Sequence, residues 1–385
     1  MRSALRLKDK LCGLLLAGAT ASFAVALPVA PALAEGADAC PLSTPAKVVW
    51  VSPRGTLEVM DDYPLWVALD RGYFKDLGLE VELQPGVSGG PTHLALLTGG
   101  QADAGYPSPA IMAAAIDTGI EVQMGFGMAA GQVFDFAVHK DSDIKTVKDL
   151  AGKTVSLWDV SGANIVAPIL SEQGVDPASI NYVGSGQWGQ LVGQGQADAA
   201  LAWEGLRAQW TAIGLPLRYL IGSEFSNDPS NGYVVRTADA KDPAKVQIMT
   251  CFLRGVAMGL EFGRLNPQAA AQITYAQFAA IREQMKPDLA LESMRQLMYL
   301  YNMTYAKGQG YGYSDPANWQ SYLERLFKLG QTTRQITTDE AITNAYVEGA
   351  NAFDAAKVAA DAAAFELTAE WKDVVLQGPV MPAAN

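Results

Sequence analysis

The sequence predicts an α/β fold of two lobes that are built in the same way. The segment Gly-Gln-Ala-Asp-Ala occurs at residues 100–104 and again, 95 positions later, at residues 195–199. Each copy closes a strand, a Ser/Gly-rich loop and a short helix, and a turn with an aromatic residue follows it, Tyr106 in one half and Trp203 in the other. In such sheets, ligands bind at the carboxyl ends of the strands. The sequence therefore predicts a ligand cleft between two lobes joined by a hinge.

Local patterns place the elements of the first lobe in order. After a flexible lead-in, the apolar residues 47–51 predict the first strand. Aspartates before an early proline predict a helix over residues 63–72, and residues 79–83 predict the second strand. Alternation at residues 134–138 predicts a further strand, after which we expect the second lobe to begin.

The second lobe is expected over residues 138–231, with strands at residues 153–157 and 180–183. A strand at residues 232–236 then returns the chain, so the first lobe would comprise residues 45–137 and 232–370. Further helices are predicted over residues 246–262, 267–285, 289–303, 317–329 and 339–365. We expect this helix-rich carboxyl third to pack on the first lobe, because its apolar faces need a partner.

The first 34 residues have the pattern of a cleaved secretory signal peptide. Four basic residues precede an apolar stretch over residues 11–27, and small residues at 32–34 suit a cleavage site before Glu35. Pro28 and Pro31 interrupt the apolar stretch, which argues against a membrane anchor. We therefore expect a mature chain that begins near Glu35 in the periplasm or another extracytoplasmic compartment.

Charge and composition exclude several functions. Removal of the signal leaves 24 basic and 39 acidic residues, a net charge of −15, so we expect no nucleic-acid partner and a monomer. Cys40 and Cys251 would remain, and they either form a disulfide or stay as separate thiols. His93 and His139 form no metal-ligating pair, so neither a metal ion nor a cofactor is predicted.

Residues 86–90 match the pattern GxSxG between a predicted strand and a predicted helix. Two aspartates and His139 follow in the order found in serine hydrolases. However, the paired glycines and Pro91 also suit a helix N-terminus that offers backbone N–H groups to a ligand. The second lobe repeats the Ser-Gly loop without a histidine, so we favour a binding loop and predict that the chain is not an enzyme.

Four segments together resemble the signature of extracytoplasmic solute-binding proteins of the nitrate/sulfonate/taurine and thiamine-pyrimidine-precursor type (NMT1/THI5-like). They are residues 63–81 (ending GYFKDLGLEV), 97–103 (LTGGQAD), 147–155 (VKDLAGKTV) and 195–204 (GQADA followed by WE). Gly205 stands where the family pattern W-E-P has proline. The resemblance implies a type II periplasmic-binding-protein-like fold that closes on a small molecule and delivers it to the permease of an ABC importer.

The same resemblance places a set of aromatic and polar residues at the cleft. The candidate ligand-binding residues are Asp61, Asp62, Ser88, Gly89, Tyr106, Ser108, Trp158, Ser161, Trp203, Glu204, Asn231 and Tyr233. Aromatic rings can sandwich a flat molecule, and acidic residues outnumber the single arginine of these loops, Arg54. We expect a planar, nitrogen-containing ligand that resembles a pyrimidine precursor.

Two alternatives to this ligand and this function stay open. A sulfonate, nitrate or an aromatic carboxylate is a possible ligand, because helix N-termini hold anions without arginine. The related enzyme that makes the thiamine pyrimidine depends on a cysteine-rich segment with an active histidine, and no segment of this chain matches it. That enzyme and the GxSxG hydrolase are the enzymatic alternatives.

Overall fold

The computed structural model describes residues 40–86 and 92–382. The predicted signal peptide and the candidate site residues Ser88 and Gly89 lie outside this range. The strands are β1 (Ala46–Val51), β2 (Leu79–Gln84), β3 (Ala104–Gly105), β4 (Val122–Gly127), β5 (Asp135–His139), β6 (Thr154–Leu157), β7 (Asn181–Gly184), β8 (Ala199–Ala202), β9 (Leu217–Leu220) and β10 (Gly232–Arg236).

The helices outnumber the strands and concentrate in the carboxyl third. They are α1 (Tyr63–Asp70), α2 (Tyr73–Asp76), α3 (Thr92–Thr98), α4 (Pro109–Asp117), α5 (Ala163–Glu172), α6 (Trp188–Gly193), α7 (Glu204–Ala212), α8 (Gly222–Phe225), α9 (Pro243–Leu265), α10 (Pro267–Gln277), α11 (Ala279–Gln284), α12 (Pro287–Tyr301), α13 (Met303–Ala306), α14 (Pro316–Lys328), α15 (Thr338–Ala341), α16 (Val347–Asn351), α17 (Ala355–Ala363) and α18 (Ala369–Lys372). No helix in the described ranges has both the length and the apolar character that a membrane crossing requires.

Two five-stranded sheets of the same design form the two lobes, which confirms the predicted fold class. Lobe 1 has the order β2-β1-β3-β10-β4, and lobe 2 has the order β7-β6-β8-β5-β9. In each sheet the first three strands are parallel, and the fourth runs antiparallel to both of its neighbours.

The repeated Gly-Gln-Ala-Asp-Ala segment performs the same structural task in both lobes. Its glycine ends a helix with a positive φ, +72° at Gly100 and +70° at Gly195, which other residues rarely adopt. The Asp103 carboxylate accepts a hydrogen bond from the β1 backbone N–H of Val49 at 2.9 Å, and Asp198 accepts one from Thr154 of β6 at 2.8 Å. We call the repeat a strand clamp, because its glycine forms the turn after a helix and its aspartate binds the backbone of the neighbouring strand. The residues that follow it reach the cleft.

Two segments, residues 128–134 and 221–231, connect the lobes. Their ends meet, because Gly127 and Gly232 are paired neighbours in the lobe 1 sheet. The predicted boundary after residue 137 is wrong by one strand: β5 pairs with β8 and β9 along its length and belongs to lobe 2. Its alternating pattern was compatible with either sheet, and only the long-range pairing decides between them.

Helix α9 is the centre of the carboxyl third, and it packs on lobe 1 as predicted. Asp242 caps its start by accepting a hydrogen bond from the N–H of Ala244 at 2.9 Å. Gly259 lets α1 approach closely, since a Cβ there would lie 2.1 Å from the carbonyl oxygen of Pro64. A disulfide joins Cys251 of α9 to Cys40, which settles the pairing that the sequence left open.

Two predicted helices of the carboxyl third are broken in the structure. Residues 267–285 form α10 and α11, which are separated at Phe278 in extended backbone. Residues 339–365 form α15, α16 and α17, because the chain between them leaves the helical path to contact β4, where Ile342 bridges Met124. In addition, α12 packs on α7 and α14 packs on α5, so these helices also contact lobe 2.

Candidate functional site

A cavity of about 390 Å³ lies between the lobes, at the carboxyl ends of the parallel strands. Arg54 follows β1 and Tyr106 follows β3 on one side, whereas Trp158 follows β6 and Trp203 follows β8 on the other. The lining residues are Pro53, Arg54, Asp61, Tyr106, Ser108, Ile111, Val133, Phe134, Trp158, Ile165, Trp188, Trp203, Glu204, Ser230, Asn231 and Tyr301. Both lobes supply this lining, as a ligand cleft requires.

The lobe 2 side of the cavity is an aromatic wall, formed by Trp158, Trp188, Trp203 and Phe134. The three indoles contact one another with ring centroids 6.2 to 6.4 Å apart, and Phe134 meets Trp203 edge-on at 6.3 Å. Trp188 is held from behind, because its indole N–H donates to the carbonyl of Leu201 at 2.8 Å. These contacts fix the rings, so the wall is preorganised for a flat or cationic group.

Tyrosines form the facing surface on the lobe 1 side. The hydroxyls of Tyr106 and Tyr301 are 3.3 Å apart, and the Tyr301 hydroxyl lies 3.5 Å from the carbonyl oxygen of Asp61. Tyr233 packs behind Tyr106 with centroids 5.2 Å apart and is 2% exposed. Tyr233 therefore supports the surface rather than lining it.

Acidic residues from both lobes meet at the cavity. Asp61 comes from the loop before α1 in lobe 1, and Glu204 is the first residue of α7 in lobe 2. Burial and the neighbouring Asp61 raise the pKa of Glu204 to about 8, and burial also raises the pKa of Asp61. Gly205 lets the two approach, since a Cβ there would lie 3.1 Å from the Asp61 carboxylate.

Arg54, the basic residue of the cavity lining, is already paired. One of its Nη atoms lies 2.5 Å from the Asp62 carboxylate, and the other lies 3.6 Å from that of Asp61. Asp62 is 3% exposed and sits behind the cavity lining, where it neutralises the guanidinium. An incoming anion would have to displace these carboxylates to reach Arg54.

Three uncharged polar groups in the lining lack hydrogen-bond partners within the described ranges. They are the hydroxyls of Ser108 and Ser230 and the amide oxygen of Asn231. Both serines are at most 4% exposed. An unsatisfied polar group is costly to bury, so these atoms are available for hydrogen bonds with a bound molecule.

The structure brings most of the predicted site residues to this cavity. Those in its lining are Asp61, Tyr106, Ser108, Trp158, Trp203, Glu204 and Asn231, while Asp62 and Tyr233 lie directly behind it. Ser161 does not line the cavity: it is exposed, and its N–H caps the turn by donating to Asp159 at 2.9 Å. Sequence reasoning missed Phe134, Ser230 and Tyr301, which also line the cavity.

A second cavity of about 530 Å³ lies between α7 and α12. Four of its charged side chains form ion pairs: Arg207 lies 3.3 Å from Asp135, and Arg295 lies 2.6 Å from Glu292. The aromatic wall belongs to the first cavity, which both lobes line at the carboxyl ends of the parallel strands and which is therefore the candidate site. No group of three or more potential metal ligands occurs in the parts of the chain that the structure describes.

Comparisons with known proteins agree with this architecture. The alkanesulfonate-binding protein SsuA from Xanthomonas axonopodis pv. citri, solved with MOPS bound, is 14% identical, with a TM-score of 0.59, and the match covers 78% of this chain and 99% of that one. The aliphatic sulphonate-binding protein SsuA from Escherichia coli is also 14% identical, with a TM-score of 0.58 and coverage of 79% and 99%.

The fold is also that of a Candida albicans protein described as having the generic periplasmic binding protein fold. That structure is 15% identical, with a TM-score of 0.54 and coverage of 78% of this chain and 96% of that one. No curated protein sequence matches the chain. The NMT1/THI5-like family matches residues 60–270, more than half of the sequence. The chain therefore belongs to the NMT1/THI5-like family.

Proposed function

We propose that the protein is an extracytoplasmic solute-binding protein, which captures a small organic molecule in the interlobe cavity and delivers it to the permease of an ABC importer. The observation that carries this proposal is the cavity lined from both lobes, with an aromatic wall facing tyrosines. The two lobes are connected by two segments only, which is the arrangement of proteins that close around a ligand by hinge motion. The SsuA proteins of the same fold are binding proteins by name.

The lining favours a planar ligand that contains nitrogen, such as a pyrimidine precursor. Trp158 and Trp203 line one side, and Tyr106 and Tyr301 line the other. Glu204 and the amide oxygen of Asn231 accept hydrogen bonds, which suits ring amines and other N–H donors. A cavity of about 390 Å³ accommodates a molecule of that size.

A sulfonate is the second candidate, because two proteins of the same fold bind sulfonates according to their names. The electrostatics of this cavity argue against it. Arg54 is paired with Asp62 at 2.5 Å, and Asp61 and Glu204 line the cavity without supplying a positive charge to an anion that enters. We therefore place the sulfonate below the nitrogen-containing ligand.

Binding without catalysis is the simplest reading of the chemistry present. Cys40 and Cys251 are bonded to each other, which removes both thiols as nucleophiles. His139 ends β5 in lobe 2, with its side chain 36% exposed beside Asp141. We propose that the GxSxG segment acts as a binding loop in this protein.

Native mass spectrometry of the exported protein tests the proposal. We expect a bound molecule of low mass, released on denaturation, and a smaller radius of gyration with that molecule than without it. A protein that exports normally, carries no molecule and keeps one radius of gyration in a metabolite extract would contradict the proposal. A catalytic turnover of the co-purifying molecule would contradict the non-enzymatic reading.

A further inference from the structure

The charged groups around Glu204 do not balance. Three buried carboxylates, those of Asp62, Asp135 and Glu204, and the mostly buried carboxylate of Asp61 meet two guanidiniums in this part of the structure. One guanidinium is that of Arg54, which pairs with Asp62 at 2.5 Å, and the other is that of Arg207, which lies 3.3 Å from Asp135. Asp61 shares Arg54 with Asp62, at a distance of 3.6 Å, and Glu204 has no ion pair among the described residues. Buried charges are stable only when they are paired.

We propose that the cleft binds an organic monocation, whose positive charge lies near Asp61 and Glu204 and against the aromatic wall. This inference rests on the proposed function and names the charge of the ligand. A cation supplies the missing positive charge, and the faces of Trp158 and Trp203 attract it through their ring quadrupoles. A neutral ring would stack equally well but would leave the carboxyl pair to be neutralised by a proton.

The position of the two carboxylates links this charge to closure. Asp61 belongs to lobe 1 and Glu204 to lobe 2, so the closed arrangement brings like charges together across the cleft. Without a cation between them, a bound proton is the other way to relieve the repulsion. The ligand therefore competes with a proton for the same pair of side chains.

The groups that face Glu204 determine the sign of the pH effect. Asp61 and buried Asp135 raise its pKa, Arg207 one turn along α7 lowers it, and burial is the largest cause of the net rise to about 8. Tyr301 of α12 also lies in the same lining and is neutral in this range, since burial raises its pKa well above its ordinary value. Affinity for a cation should therefore increase as the pH rises through about 8. Above its pKa, Glu204 is already ionised, so a cation binds without first displacing a proton.

Three planar probes of one shape test the charge preference directly. They are 1-methylnicotinamide (cation), nicotinamide (neutral) and nicotinate (anion), with tetramethylammonium as a second cation of another shape. Calorimetric titration at a pH above the Glu204 pKa should show that affinity decreases from the cation to the neutral probe to the anion. The dissociation constants of the first two should differ by about tenfold or more. Titration in buffers of different ionisation enthalpy near neutral pH should also show proton release on binding of the cation.

The variants Glu204→Gln and Glu348→Gln separate a specific role from a general charge effect. Glu348 is exposed on α16, far along the chain from the cleft residues, and its replacement should change nothing. Glu204→Gln keeps the size of the side chain, and it should remove most of the preference for the cation and the pH dependence of its binding. Without added probe, a raised carboxyl pKa makes the free energy of unfolding of the wild-type protein fall as the pH rises from about 4.5 to about 8. Glu204→Gln should reduce this fall, because the variant has no carboxyl group to ionise at this position.

Three results would overturn the inference and leave the proposed function intact. The first is a co-purifying neutral or anionic molecule that is bound in the cleft of the wild-type protein. The second is nicotinate or nicotinamide binding at least as tightly as the cation. The third is failure of both cations to bind at high millimolar concentration. Failure of the proposed function has a different signature, namely no bound molecule and no ligand-dependent compaction.

Discussion

Breaking the disulfide between Cys40 and Cys251 should lower the free energy of unfolding of the whole protein. The bond joins residues 211 positions apart, and it attaches the start of the described chain to the buried helix α9. A cross-link that closes so long a loop restricts the unfolded chain far more than the folded one. The change we propose is Cys40→Ala, because Cys40 is only half-buried whereas Cys251 is fully buried.

The loop length gives the magnitude. For a separation of 211 residues, the chain-entropy relation corresponds to about 5 kcal/mol at room temperature. The measured loss should be somewhat smaller, about 3 to 5 kcal/mol, because the reduced unfolded chain retains some structure. In the folded protein, other contacts should keep the segment after Cys40 in place. Leu42 donates to the carbonyl of Leu77 at 3.0 Å, and Ala46 donates to that of Gly78 at 3.0 Å.

Guanidinium unfolding, with and without reductant, measures the effect. Wild type without reductant should be the most stable form, and wild type with reductant should approach the Cys40→Ala variant. The variant is its own control, since reductant has no bond to break there and should leave its midpoint unchanged. Free-thiol titration confirms the redox state of each sample.

The reasoning fails if fully reduced wild type unfolds at the same denaturant concentration as the oxidised protein. That result would mean that the loop closed by the bond is already restricted in the unfolded chain. A midpoint of Cys40→Ala that lies far below that of reduced wild type would point instead to lost packing at residue 40.

Three further predictions test the cleft, the packing of α9 and the amino terminus. Trp203→Ala should weaken binding of a co-purifying ligand by about 2 kcal/mol, roughly thirtyfold, as measured by calorimetry. Trp210, 5% exposed behind the aromatic wall, is the matched control, and its replacement by alanine should mainly lower the melting temperature. Gly259→Ala should destabilise the protein by about 1 to 3 kcal/mol by forcing α1 away, whereas Gly186→Ala, in open space, should cost little. Amino-terminal sequencing of exported protein should begin near Glu35, and an intact first residue would contradict the signal peptide.

The sequence predicts those parts of the site that follow the repeated strand clamp. Trp203 and Glu204 come directly after one copy and Tyr106 after the other, so the strand ends locate them without a structure. Tyr301 is different, because it lies on the buried side of an amphipathic helix, where periodicity assigns every inward residue to a core. Only the packing of α12 against both lobes shows that this residue meets the cavity.

Two features that the sequence left wrong or open depend on long-range pairing. The strand at β5 is evident from its alternation, but its sheet is set by β8 and β9, which lie more than 60 residues further along the chain. Likewise, two cysteines 211 positions apart carry no local sign of their bond. Ser161 illustrates the converse, since a local turn rule would have placed its N–H on Asp159 rather than in the cleft.

The paired glycines at the lobe junction make lobe 2 an insertion within a continuous lobe 1. Residues 128–231 leave and return at one point, because Gly127 and Gly232 are neighbours on adjacent strands and Met128 donates to the carbonyl of Asn231 at 3.0 Å. The aromatic wall and Glu204 travel with this segment, while Tyr106, Tyr301 and Asp61 stay behind. Half of the binding surface thus forms one segment that could be exchanged with that of a relative, with both joints in the same pair of strands. The contacts of α14 with this segment, such as the ion pair of Arg325 with Asp228 at 2.5 Å, would have to be kept.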